Sequence, residues 1–385
     1  MGDASGSSSS TGRLVAIDVA RCLALLGMMA THVLDASTAD GDPTLSHELF
    51  SGRASALFAV LAGVSMALVS GRRTPVGGRD RLRVSAALAV RAVLVGAIGL
   101  WLGTLETGIA IILVYYAALF VLGLPFLGLS WRPLLALAVG WAVAAPVVSR
   151  LVVPELPPRQ FESPQPDQLE HPGHLVAELL LTGYYPAVPW LTYLLLGLAI
   201  GRLDLRSSYV AARLAVGGLA VAVVATWVSG MLTASRFTDL ELDDGRYGQV
   251  PTGPDDGWRW LLVVEPHSSQ PFDLAQTAGS AAFVIGVCLL LVRWIGDLST
   301  HAERAVQVVF GAGTMTLTLY TLHVVMRTDD VWPEEDPSTY RTHVLVVLAI
   351  GAVFAAVGWR GPLERAVGWL PERIRGVRGR ASARA

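Results

Sequence analysis

A stretch near the N-terminus, residues 13–32, carries an acid, a base and a histidine in an otherwise apolar run, RLVAIDVARCLALLGMMATH. Asp18 and Arg21 are three residues apart, close enough on a helix for the two side chains to pair. Arg21 and His32 are eleven residues apart, so on a helix they differ by about 20° around the axis and by roughly 16 Å along it. Charges inside an apolar helix are costly, which favours a functional role for this stripe. The alternative is that Asp18 and Arg21 only neutralise each other and that His32 caps the helix.

Other histidines occur near ends of apolar segments or in the loops between them. They are His47, His171, His174, His267, His323 and His343. A neutral imidazole accepts a proton from a hydroxyl or amine near pH 7, or attacks an activated acyl group directly. The set therefore suits proton or acyl transfer, while each ring is also explicable as an interfacial histidine. No pair has His-x-x-x-His or Cys-x-x-Cys spacing, so a metal site is the weaker interpretation and we expect no metal.

Three further side chains are candidates to line a binding cavity. Tyr115 and Trp190 lie within apolar segments, where packing between helices is the alternative explanation. Asp273 follows the segment that contains His267 and would either orient an imidazole or cap the start of its helix.

The composition indicates that apolar helices in a membrane position these residues. The chain has 385 residues, of which 53% are hydrophobic and 16% charged, and its mean hydropathy is +0.52. These values are typical of a membrane protein. A bilayer core of about 30 Å needs about twenty apolar residues per helix. Ten such windows occur, at about 14–34, 54–70, 85–104, 109–129, 134–152, 186–201, 208–232, 273–293, 305–327 and 342–359. We predict an all-α, polytopic membrane bundle of about ten transmembrane helices.

The charges of the connecting segments predict the topology. Arginine is concentrated in alternate loops and acids in the others, which places both termini in the cytoplasm of a multi-pass plasma (inner) membrane protein. All basic residues are arginine, as is common in proteins of GC-rich bacteria. The net charge of −2 offers no basic surface, so nucleic acid is not an expected partner.

The chain divides into three predicted regions. Residues 1–12 form a disordered cytoplasmic leader, residues 13–360 form the membrane domain, and residues 361–385 form an arginine-rich cytoplasmic tail. Two long outer segments, 153–185 and 233–272, are rich in proline, glycine and acids, and either is suited to cover an outer site.

Several motifs resemble those of a known family. The segment IDVARCLALLGMMATH resembles the first-helix signature of the transmembrane acyltransferase superfamily, with Arg21 and His32 at its arginine and histidine. The segment HELFSGRASALFAVLAGVSMAL resembles the second-helix region of heparan-alpha-glucosaminide N-acetyltransferase and its bacterial relatives, with His47 five residues before Gly52. Later segments, YYPAVPWLTYLLLGLAIGR, PHSSQPFDLAQTAGS, GAGTMTLTLYTLH and RGPLERAVGWL, are similar to helices of this group and of its DUF418 (YeiB-like) branch.

The resemblance implies a membrane enzyme that moves an acyl group, commonly acetyl, from cytoplasmic acyl-CoA to a hydroxyl or amine of an extracytoplasmic glycan or glycoconjugate. It implies that His47 and His32 are the catalytic histidines. Asp18 and Arg21 would act below them, where Arg21 is able to meet a phosphate or the thioester carbonyl of the donor. His267 and His323 are placed with the acceptor-binding residues.

Arginines of the loop RRTPVGGRDRLR are expected at the mouth through which the donor's polyphosphate approaches. We assign Arg72, Arg73 and Arg81 to this role, for which ordinary positive-inside topology is the alternative. We further predict that His32 and His47 approach one cavity that opens at the outer face, with Arg21 nearer the cytoplasm. The bilayer and acyl-CoA are the expected partners, and the oligomeric state stays open, a homodimer being one arrangement that we consider.

Two interpretations compete with the enzyme. In a proton-coupled transporter or exporter, Asp18, Arg21 and the outer histidines would form the path of the proton or substrate. In a membrane interaction protein, none of these residues would do chemistry.

Overall fold

The computed structural model describes residues 14–105, 107–159, 163–233, 258–329, 331 and 337–375. Across these ranges the chain is helical, and its extended segments form one isolated β-bridge, between Ser37 and Pro43, and no strand. The predicted leader, much of the second outer segment and the end of the tail lie outside the described residues.

Helices account for most of the described chain. They are α1 (Val15–Val33), α2 (Leu45–Phe50), α3 (Arg53–Val69), α4 (Gly78–Gly103), α5 (Leu113–Gly123), α6 (Trp131–Val152), α7 (Pro172–Ala177), α8 (Ala187–Gly201), α9 (Ser208–Thr233), α10 (Pro271–Leu298), α11 (Thr300–Val309), α12 (Thr316–Met326), α13 (Pro337–Val357) and α14 (Pro362–Ile374). The all-α class predicted from the sequence is thus confirmed.

Length and hydropathy identify the helices that are able to cross a bilayer. Seven segments of the described chain meet both requirements, with α2 and α3 counted together. An eighth is obtained if Pro172–Thr182 and α8, which meet at a bend of 55°, count as one span. Helices α5 and α12 are apolar but shorter. The count of ten spans and the cytoplasmic position of the termini therefore stay predictions.

The bundle has two chemically different ends. At one end α1 finishes, α10 begins and His32 and His323 meet; we call this the histidine end. At the other end α1 begins, and Arg21 contacts Ser65 near the close of α3; we call this the arginine end. The stripe predicted on α1 therefore connects the two ends through one continuous helix.

Glycine allows the central helices to approach closely. A Cβ atom on Gly197 of α8 would meet the backbone of α3 at Val60 and Gly63, and one on Gly279 of α10 would meet the backbone of α9 at Gly218 and Ala222. Close crossings of this kind replace the hydrophobic driving force that is absent between helices in lipid.

The segment predicted as one span at 305–327 is divided in the structure. Helix α11 ends at Val309, a 3-10 turn covers Gly311–Thr314, and α12 begins at Thr316. The turn is held between two helices, because Gly311 packs against the backbone of Gly351 in α13 and Gly313 against the carbonyl of Asp18 in α1. The interruption thus sets the start of α12 beside the ion pair of α1.

We expect Gly313→Ala to destabilise the protein by about 1–3 kcal/mol, because the added Cβ would collide with the Asp18 carbonyl oxygen. Thermal unfolding in detergent measures the effect. Gly140→Ala in α6 is the matched control, since a Cβ there meets no atom within 4 Å and is expected to be neutral or stabilising by up to about 1 kcal/mol. Equal unfolding temperatures for the two variants would contradict this packing argument.

Candidate functional site

Three histidines from three helices form a connected chain at the histidine end. His32 lies in the last turn of α1, and its Nδ1 is 3.1 Å from Nε2 of His323 in α12. Nδ1 of His323 is 2.7 Å from Nδ1 of His343 in α13. His323 and His343 are fully buried, while His32 remains partly exposed. The structure therefore brings the predicted His32 and His323 together and adds His343.

His267 occupies a separate aromatic environment at the same end. Its ring centroid lies 5.0 Å from that of Tyr184, 5.5 Å from that of Tyr185 and 6.5 Å from that of Trp190, on which it stacks. The backbone of His267 has a φ of 63°, and that of Ser269 a φ of 55°, a conformation that costs energy for residues other than glycine. The tight loop before α10 is thus shaped to present this imidazole.

His47 lies on α2, and Gly52, two residues past the end of that helix, packs against the loop of His267: a Cβ on Gly52 would lie 3.4 Å from Cα of Pro266 and 3.5 Å from the backbone nitrogen of His267. The short helix α2 carries His47, whose backbone N–H donates to the Thr44 hydroxyl that caps the helix. Burial, with a smaller contribution from the neighbouring His47, lowers the pKa of His267 from 6.5 to about 4, so His267 is neutral at physiological pH. His267 is thus coupled to His47, and a single cavity shared by His47 and His32 stays a prediction.

Asp273 secures the loop that carries His267. Its carboxylate accepts the backbone N–H of Ser269 at 2.9 Å and a hydrogen bond from the Ser268 side chain. Both donors belong to the turn that precedes α10 and not to the first N–H groups of the helix. Asp273 therefore fixes the turn that carries His267, and the two roles considered for it from the sequence stay predictions.

Tyr115 and Trp190 frame the site from buried positions. The Tyr115 hydroxyl donates to Glu178 at 3.3 Å and accepts the backbone N–H of Tyr184 at 3.2 Å. The Trp190 indole N–H donates to the Ser269 hydroxyl at 3.2 Å. Both rings are almost inaccessible, so they hold the aromatic environment and the His267 loop in position.

Asp18 and Arg21 form the predicted ion pair toward the arginine end. Nη1 of Arg21 is 2.9 Å from Oδ1 of Asp18, and Nη2 donates to the Ser65 hydroxyl at 2.7 Å. About a quarter of the Arg21 side chain, 25%, remains accessible. The arginine is thus oriented by α1 and α3 together, with part of its surface open.

Arg91 is a charged group of this region that the sequence reasoning left without a role. It lies midway along α4, on the same helical face as the buried Val84, Leu88 and Val95. Arg91 itself is exposed on this otherwise buried face. The charges of Arg21 and Glu364 act on it. The rarity of charge within a spanning helix was the signal that could have identified Arg91.

Glu364 links the C-terminal helix to α12. Its carboxylate accepts the backbone N–H groups of Leu317 at 2.7 Å and Thr318 at 3.1 Å, and the Thr318 hydroxyl at 2.6 Å. Donors at the start of a helix need such partners. A residue of α14 thereby anchors the helix that carries His323.

The loop arginines separate into different environments. Arg72 lines a cavity of about 380 Å³ together with Arg83, Arg375 and Asp80, and the Asp80 carboxylate pairs with Arg83 at 3.3 Å. Arg73 pairs with Asp204 at 3.2 Å, and Arg81 donates to the carbonyl of Pro125 at 2.6 Å while lining a different cavity. The structure does not bring Arg72, Arg73 and Arg81 together around one cavity.

Metal ligation is not indicated for the part of the chain that the structure describes. There, no three His, Cys, Asp or Glu side chains form a group able to hold a metal ion. The expectation that the protein needs no metal stays a prediction.

The fold and the polar residues together define a class. The described chain is helical, has several segments able to span a bilayer, and carries Arg21 and His32 toward opposite ends of one helix, which places it among polytopic membrane proteins. Residues 13–231 match the family model described as "Heparan-alpha-glucosaminide N-acetyltransferase, catalytic". The chain therefore belongs to this family of transmembrane acetyltransferases, as its motifs predicted. No curated protein sequence matches it at a significant level.

The family match covers only part of the site. Arg21, His32, His47, Tyr115 and Trp190 fall within the matched residues. His267, His323 and His343 follow them in the chain, so their association with the matched part is evident only from the three-dimensional arrangement.

Proposed function

We propose that the protein transfers an acyl group, in the first instance acetyl, from acyl-CoA bound at the arginine end to a hydroxyl or amine of an extracytoplasmic glycan or glycoconjugate at the histidine end. The observation that carries this proposal is the polarity of α1. One helix holds Arg21 toward one end and His32 in its last turn at the other. Arg21 donates to the Ser65 hydroxyl, and His32 is hydrogen-bonded to His323.

The acyl donor is assigned to the arginine end because of its charge. The cavity of about 380 Å³ is lined by three arginines, Arg72, Arg83 and Arg375, and by one carboxylate, that of Asp80, which pairs with Arg83. The excess of guanidinium donors over carboxylates suits a polyphosphate. Arg91 and Arg21 lie further along the inward faces of α4 and α1, where a thioester arm would pass. From Arg21 the acyl group has roughly 16 Å to cover along the helix axis to reach His32.

The acceptor is assigned to the histidine end. His47 is only partly buried, and α2 has no buried residue, so a large acceptor is able to approach it. The aromatic rings around His267 offer apolar faces next to polar edges, a combination that suits a sugar. His47 or His32 would then remove the proton from the attacking hydroxyl or amine, or carry the acyl group as an acyl-imidazole.

Acetyl transfer by the purified full-length protein tests the proposal. We expect radiolabel from acetyl-CoA to move to an envelope glycan fraction with the wild type, and to move far more slowly with His32→Ala and His47→Ala. A comparison of surface glycans between a deletion strain and its parent would identify the acceptor. A wild-type protein that neither binds acetyl-CoA nor transfers its acetyl group would refute the proposal that it is an acyltransferase.

The donor site makes a separate prediction. We expect Arg72→Gln combined with Arg83→Gln to raise the KM for acetyl-CoA about three- to tenfold, because two exposed charge-assisted contacts to phosphate are lost. Arg73→Gln is the matched control, since Arg73 pairs with Asp204 as Arg83 pairs with Asp80, but is not among the residues of that cavity. Initial-rate kinetics at varied acetyl-CoA concentration measure both, and an equal KM for double variant and control would place the donor elsewhere.

A further inference from the structure

The chain of histidines at the histidine end has a definite direction. His32 uses Nδ1 to reach Nε2 of His323, and His323 uses Nδ1 to reach Nδ1 of His343. A neutral imidazole has one N–H donor and one lone-pair acceptor. Because two of the three rings are fully buried, where a positive charge is costly, we treat all three as neutral.

Only two proton arrangements satisfy both hydrogen bonds. In the first, His343 donates from Nδ1 to His323, His323 donates from Nε2 to His32, and His32 carries its own proton on Nε2. In the second, every proton is reversed, so that His32 donates from Nδ1 and exposes a lone pair at Nε2, while His343 carries its proton on Nε2. The arrangement therefore decides whether the free nitrogen of His32 is a donor or an acceptor.

The surroundings of His343 distinguish the two arrangements. Nε2 of His343 is buried and has no hydrogen-bond partner among the described residues. Among buried backbone groups, an N–H without an acceptor is rarer than a carbonyl that lacks a donor, and we apply the same order to the imidazole nitrogens. The second arrangement would create such an N–H at His343, whereas the first leaves only a lone pair there. The first arrangement is therefore favoured, with the proton of His32 on Nε2.

We propose that His323 and His343 are positioning residues that hold His32 as a hydrogen-bond donor, which leaves His47 as the general base. This inference rests on the proposed acyl transfer. His47 takes the proton of the acceptor hydroxyl or amine as its oxygen or nitrogen bonds to the thioester carbon. The carbonyl oxygen gains the displaced electron pair and receives a hydrogen bond from Nε2–H of His32. The carbon–sulfur bond then breaks, and the leaving thiolate takes the proton back from His47.

The resting protonation of His32 tests the proposal without any substrate. Full-length protein labelled with ¹⁵N-histidine, in nanodiscs near pH 7.5, is examined by NMR, and His32 is assigned from the signals lost in His32→Asn. We expect a protonated Nε2 and an unprotonated Nδ1. Any other protonation state of His32 overturns the inference.

A pair of variants of equal size tests the consequence for catalysis. In His343→Asn the amide is able to donate to Nδ1 of His323, which preserves the first arrangement. In His343→Asp the carboxylate only accepts, which imposes the second. We expect kcat within about threefold of wild type for the asparagine variant and a loss of about 100-fold for the aspartate variant, the usual effect of removing one oxyanion donor. KM values for donor and acceptor should change little.

Equal kcat values for the two folded variants would overturn the positioning role. If the aspartate variant does not give a monodisperse protein, His323→Gln and His323→Glu make the same comparison one ring nearer to His32. Failure of the proposed acyl transfer and failure of this assignment of roles give different results. An inactive wild type refutes the proposed function, whereas an active wild type whose His32 is protonated on Nδ1 refutes only this assignment of roles.

Discussion

His47→Ala is expected to lower kcat for acetyl transfer by roughly 10²–10⁴-fold, the contribution of a positioned general base. His47 is partly exposed on α2, close to His267 and at the end of the bundle assigned to the acceptor. Its loss leaves no group to take the acceptor's proton, because His32 is held as a donor in the arrangement inferred above. His47→Asn should be as inactive as His47→Ala, whereas His32→Asn should keep more activity than His32→Ala, since its amide still donates.

His47→Ala should change catalysis without changing the stability of the fold, because α2 contributes little to that stability. None of its residues is buried, so we expect His47→Ala to unfold at the same temperature as the wild type. His171→Ala is the matched control, an exposed histidine in the outer segment 153–185 with unchanged kcat expected. Initial rates with radiolabelled acetyl-CoA measure all of these variants. Wild-type rates for His47→Ala would exclude His47 as the base.

Arg202→Leu is expected to destabilise the folded protein by several kcal/mol, since each buried acceptor that is left without its donor costs about 1–3 kcal/mol. Arg202 follows α8 and is only 3% exposed. Its Nη1 donates to the carbonyls of Ala67, Ser70 and Arg72, at 3.1, 3.2 and 2.7 Å. Its Nη2 donates to the Ser70 hydroxyl at 2.9 Å and the Leu127 carbonyl at 2.6 Å.

These contacts tie the ends of three elements together at the arginine end. Leucine would leave the carbonyls at the end of α3 without their donor inside a dry region, where unpaired groups are costly. Arg202→Lys should recover only part of the stability, since a single ammonium group lacks the guanidinium fork. Thermal unfolding in detergent measures the series, with the exposed Arg206→Leu as control. An unfolding temperature of Arg202→Leu equal to that of the control would show that these bonds contribute little.

The positions of single helices were predictable from the sequence. The first window, 14–34, became α1 at Val15–Val33, and the window 208–232 became α9 at Ser208–Thr233. The agreement is close because the thickness of the bilayer sets the length of an apolar run and the flanking polar residues mark its ends. The ion pair of Asp18 with Arg21 was predictable for the same reason, since spacing along a helix is local.

The sequence was less informative wherever a helix is interrupted. The window 109–129 contains α5 only over Leu113–Gly123, followed by the 3-10 turn Leu124–Gly128, and the window 305–327 is divided before α12. Hydropathy does not reveal where these helices are interrupted, because the residues of the 3-10 turns are themselves apolar or small. Contacts with other helices, such as that of Gly313 with Asp18, determine where the helix stops.

The sequence by itself determined which polar residues lie within apolar helices and how far along each helix they are, because the 3.6-residue period and the length of a span are properties of the local chain. Only the tertiary structure decided which helices are neighbours. It joined His32 to His323 and His343, and it placed the side chains of Arg72, Arg73 and Arg81 in different surroundings. The physical reason is that apolar surfaces of helices in lipid are nearly equivalent, so their order depends on close contacts between small residues far apart in the chain.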